Sequence, residues 1–78
     1  MSLAIELLYH EPRDLQRETR VSAVVSRHGG AMTYLEEPRG GESRAITVTY
    51  EFNDTASASG AAKALQEMGE HVEGPYND

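Results

Sequence analysis

The sequence predicts a single α+β domain with the element order βαββαβ. Three observations carry that expectation. Residues 44–52 alternate: Ile46, Val48, Tyr50 and Phe52 fall on one side, Ala45, Thr47, Thr49 and Glu51 on the other. Ala58, Ala61, Ala62, Leu65 and Met68 recur at helical spacing. A faint internal echo at an offset of roughly forty residues matches Ile5 and Tyr9 with Ile46 and Tyr50, and Gly29 with Gly69. Two successive strand–helix–strand units in one small chain give the βαββαβ order.

Each element has its own signals. Residues 3–9 set Leu3, Ile5, Leu7 and Tyr9 against Ala4, Glu6 and Leu8, the alternation of a half-buried strand. Residues 12–28 then read as a helix. Pro12 suits a first turn, where its missing N–H costs nothing. Arg27-His28-Gly29-Gly30 suits a last turn, with cations near the negative end and Gly free to take the left-handed cap. On a helical wheel Leu15, Val21 and Val25 share a side, Asp14 and Glu18 intrude on it, and Val24 lies among arginines. Thr19, Val21, Ala23 and Val25 also alternate with polar residues and Val24, as in a β-branched strand. The alternative is therefore a β-meander in which 19–27 is a strand and 54–69 the one main helix.

The second half is plainer. Residues 31–37 and 44–52 read as an antiparallel hairpin around the turn residues of Pro38-Arg39-Gly40-Gly41-Glu42. Asn53-Asp54-Thr55 offers N-caps for a helix over 54–69. Gly60 inside that helix costs about 1 kcal/mol relative to Ala, and Gly69 stops it. Residues 70–76 form a last edge strand, with Pro75 expected to end its ladder.

Composition narrows the function classes. A chain of 78 residues is one domain and buries only roughly 60% of its unfolded surface. It has no Cys and no Trp, and one Phe. A disulfide, a thiolate metal site and a cysteine nucleophile are excluded. A small core without staples predicts a homodimer. The net charge of −6 argues against general nucleic-acid binding. No apolar run has the length of a membrane span, and no basic-then-apolar leader is visible. The expectation is a cytoplasmic protein, with which the lack of Cys agrees.

Familiar catalytic motifs are missing: no Walker or dinucleotide glycine loop, no His-Glu-x-x-His, no Gly-x-Ser-x-Gly. No cofactor is expected. His28, at a helix end, is read as structural.

The predicted layout resembles the ferredoxin-like domains, over the whole chain but as architecture alone. The resemblance implies a four-stranded antiparallel sheet in the order 4-1-3-2 with both helices on one face. Metal-carrying domains of this type use a Cys pair, absent here. RNA-binding ones show aromatics on the open sheet face. Here Tyr50 and Phe52 alternate with Ile46 and Val48, which places them in the core.

That layout brings distant residues together. Glu6, Leu8 and His10 would share the open face with Thr47, Thr49, Glu51, His71 and Glu73. His10 and His71, with Glu73 or Glu6 in reach, form a candidate metal or acid–base set. Arg13, Arg17, Arg20 and Arg27, four of seven basic residues, lie within a narrow arc of the first helix. They are candidates for docking an acidic partner or an anionic ligand.

The function expected is a non-catalytic interaction or regulatory domain that self-associates through the open sheet face, as a homodimer or with a protein partner. The alternative is a ligand- or metal-binding protein or small enzyme resembling the dimeric α+β barrels. Its pocket would be lined by His10, Thr47, Thr49 and His71.

Overall fold

The computed structural model describes residues 3–38 and 45–77. Its elements follow the predicted order: β1 (Leu3–His10), α1 (Leu15–Arg27), β2 (Ala31–Glu36), β3 (Ala45–Phe52), α2 (Thr55–Glu67) and β4 (His71–Asn77). The strands form one antiparallel sheet in the order β2-β3-β1-β4, the predicted order read from the other edge. Both helices cover one face. This is the ferredoxin-like layout, and residues 19–27 are helical. The turn expected at 38–42 lies, beyond Pro38, outside the described residues.

Alternation builds the core. Ile5, Leu7 and Tyr9 of β1 meet Ile46, Val48, Tyr50 and Phe52 of β3 and Val72 of β4, all buried beneath the helices. α2 contributes Ala58, Ala61, Ala62 and Leu65. Small side chains let it lie close over β1, β3 and β4. α1 contributes Val21, Val24 and Val25 and lies against α2 and β2.

The helices start and stop for legible reasons. Asp14 caps α1 by accepting from Arg17 N–H at 2.9 Å, and Asp54 caps α2 by accepting from Ser57 N–H at 2.8 Å. The first helix therefore begins after Pro12, which stays in the connection and not in the first turn. Gly29 (φ +80°) and Gly69 (φ +92°) take the left-handed cap. The following N–H groups, of Gly30 and Glu70, reach back to the carbonyls of Val25 and Leu65. The echoed glycines are thus the same C-terminal motif used twice.

Three expectations about packing change. Met68, expected on the apolar stripe of α2, is its C-cap and is 44% exposed. Leu15 is 64% exposed, and Val24 is buried in its place. The helix turns its 17–21–24–28 stripe towards the molecule, and Leu15 overhangs beside β2. Pro75 does not end the last ladder. The β1–β4 register shifts between Ala4 and Glu6, which accommodates Gly74 and Pro75, and pairing resumes at Ala4↔Tyr76 and Leu3↔Asn77.

Candidate interaction surfaces

The register places the open face residue by residue. One row across the sheet is Ala31, Glu51, Ala4 and Tyr76. The next is Tyr34, Thr49, Glu6 and Glu73, and the third is Glu36, Thr47, Leu8 and His71. Glu6, Glu36, Glu51 and Glu73 make this face acidic. Tyr34 (58% exposed) and Tyr76 (45% exposed) stand towards its two edges. The described cations, Arg13, Arg17, Arg20, Arg27 and Lys63, all lie on or beside the helices. The open face thus carries carboxylates and none of the described cations, whereas the helix side carries both signs, with Asp14, Glu18, Asp54, Glu67 and Glu70 on or beside the helices.

The histidine set is only partly assembled. His71 lies opposite Leu8, not His10. Its Nε2 is 3.2 Å from Glu73 Oε2, and Tyr76 donates to Glu73 Oε1 at 3.2 Å. Partial desolvation and the Glu73 carboxylate push the Tyr76 hydroxyl pKa up. His10 is at the end of β1, with Nδ1 2.9 Å from the Glu11 carbonyl. Among the described residues, no group of three or more His, Asp or Glu side chains is placed to hold a metal ion.

The arginines do not form one solvent stripe. Arg13 precedes α1 and grips Glu18 through two hydrogen bonds, 2.9 and 3.1 Å, with Glu37 at 3.6 Å. Arg17 lies over the Tyr9 ring, 5.1 Å from its centroid. Its Nε is enclosed 3.4 Å from Glu70 Oε1, an ion pair without hydrogen-bond geometry. Arg20 and Arg27 remain exposed on α1.

A polar network absent from the sequence expectation explains this. The Tyr9 hydroxyl donates to Glu18 and accepts from Asp14 N–H at 3.0 Å. Arg13 holds the Glu18 carboxyl below its ordinary pKa. Burial, then the bond to Glu18, pushes the Tyr9 hydroxyl up. Nearby, burial raises Tyr50 to about 12, and its hydroxyl bonds to Ser22. Every member has a partner within the network, so these groups tie β1, the connection and α1 together. The signal was present in the sequence: a Tyr at a buried position needs a hydroxyl partner, and Glu18 intrudes on the helix's apolar side.

Beside the network is a groove of about 470 Å³ between α1 and β2, lined by Arg13, Leu15, Glu18, Thr19, Ser22 and Met32. Met32 pairs with Tyr50 and so shares the helix side, yet it is 55% exposed. The helical layer leaves this edge uncovered.

Comparison with family models, curated protein sequences and solved structures gives no match. Geometry alone carries the functional reading. No described helix is long and apolar enough to cross a membrane.

Proposed function

We propose that the protein is a non-catalytic interaction domain that binds a cationic protein segment through its open sheet face. The observation that carries this is the one-sided placement of the cations: the sheet face has four glutamates and two exposed tyrosines and none of the described cations, which all lie on the helix side among carboxylates, where Glu18 and Glu70 pair with Arg13 and Arg17. Tyrosines give contact area at small entropic loss, and complementary charge speeds and orients encounter. Two copies stacked on this face would set glutamates against glutamates, which disfavours the self-association expected there. A metal or ligand role for His10 and His71 draws less support, because each ring already has a local partner.

Selection from a random peptide library tests the reading. Peptides enriched in Arg and Lys should emerge, bind less tightly as salt rises, and shift the amide resonances of β1 and β3. The Glu6→Gln/Glu51→Gln/Glu73→Gln variant should lose them. Enriched peptides that bind this variant equally well, or that map to the helix side, would overturn the proposal.

A further inference from the structure

The two edges of the sheet are unequal. β4 carries Pro75, which has no N–H to donate. β2 has no proline, and all its residues but Leu35 are exposed. An exposed edge with free donors and acceptors is a template for another strand. On the helix side this edge is also apolar, with Met32 and Leu15 exposed along the groove.

We infer that a second copy of the chain covers this edge. β2 pairs antiparallel with β2 of the copy across a two-fold axis, making one continuous sheet of both copies. This is independent of what binds the open face.

The register supports this occupant. The β2–β3 pairing shifts between Met32 and Tyr34, so Met32 and Leu35 lie on the same face, opposite Tyr50 and Val48. Ala31 and Glu36 lie on the other, opposite Glu51 and Thr47. An antiparallel self-pairing centred between Thr33 and Tyr34 sets Met32 across from Leu35 of the copy, and Ala31 across from its Glu36. All six residues of β2 are used: the outer pairs match face for face, and the central pair is Thr33 with Tyr34. A shift of one residue would set Met32 against Tyr34, across the two faces. The irregularity at Thr33 thus moves the face-matched register to this centre, where the whole length of the strand overlaps.

Charge agrees with the same register. Glu36 meets Ala31 and not its own counterpart, so like charges are not directly opposed. The acidic end, Glu36-Glu37, comes alongside the start of the copy's β2, which follows the cationic Arg27. The two-fold also brings the two Leu15–Met32 grooves to adjacent positions, where apolar surface left uncovered in one copy is removed from water.

Sedimentation equilibrium and oxidative crosslinking test the inference. The wild type should be a dimer at tens of micromolar. Met32→Glu, a change at an exposed position, should weaken dimerisation at least about tenfold while circular dichroism stays native. The chain has no Cys, so Tyr34→Cys should give a covalent dimer under mild oxidation, and Glu73→Cys on the other edge should not. The crosslink stands as a test even if Met32→Glu unfolds. A monomeric wild type at these concentrations, a dimer indifferent to a folded Met32→Glu, or crosslinking at position 73 but not 34 would each overturn it.

Discussion

Replacing Gly30 by alanine should press a methyl group into the ring of Phe52. A Cβ there would lie 2.4 Å from Cε2, 2.6 Å from Cζ and 2.8 Å from Cδ2. Carbon atoms attract best at about 3.5–4.0 Å, so three ring atoms would be more than half an ångström too close. Phe52 is 2% exposed and packed within the core cluster. Gly30 does not have a positive φ, so the cost is steric crowding and not backbone strain, offset in part by the lower entropy of the unfolded alanine chain. Overpacking a filled core costs about 1–3 kcal/mol. In a domain this small each kcal/mol moves Tm by roughly 4–8 °C, so the fall should be about 5–20 °C. Thermal and urea unfolding followed by circular dichroism would measure it. In the Phe52→Leu background, with the ring gone, Gly30→Ala should cost at least ~1 kcal/mol less. Gly29→Ala is the control. Its Cβ meets nothing within 4 Å, but φ is +80°. It should cost about 1–2 kcal/mol of backbone strain, unrelieved by Phe52→Leu. Additive effects of Gly30→Ala and Phe52→Leu would refute the reasoning.

Three further outcomes follow from the polar network and the helix contact. Glu18 has a folded pKa below its ordinary 4.5, so its contribution is present above that value and is lost as pH falls through the folded one. Urea midpoints from pH 7 to pH 3 should drop more steeply in wild type than in Glu18→Gln. Tyr9→Phe removes the donor to Glu18 and the acceptor for Asp14 N–H, and should cost about 1–2 kcal/mol in urea denaturation. Gly60→Ala improves helix propensity by about 1 kcal/mol but sets its Cβ 3.2 Å from His28 Cε1 and Nδ1. It should be clearly stabilising only in a His28→Ala background, as thermal unfolding of the two pairs would show.

β3 and α2 were legible because one face of each is buried and the other exposed, so their patterns run at one period. α1 was harder. Its inward-facing stripe includes the half-buried Arg17, which lies over the Tyr9 ring while its charge pairs with Glu70. No hydropathy pattern counts an arginine as interior. Leu15 misled for the opposite reason, since an apolar residue at a helix end can overhang the core. The open face followed from strand alternation and topology, but its register did not. The shifts at Thr33 and at Gly74-Pro75 depend on cross-strand geometry that a single sequence does not display. The Tyr9–Glu18–Arg13 network joins three segments, and none of its spacings is a local motif.

Pro75 has a consequence for how many copies can join. A sheet with two pairable edges adds strands at both ends and grows without limit. Here one end lacks a donor and carries an irregular strand, so the proposed joining through β2 would use up the regular edge of the described sheet and stop at two. Proline on the far edge acts as a chain terminator for assembly. In the proposed pair, the same inequality of edges that selects β2 for pairing would keep the pair from becoming a fibre.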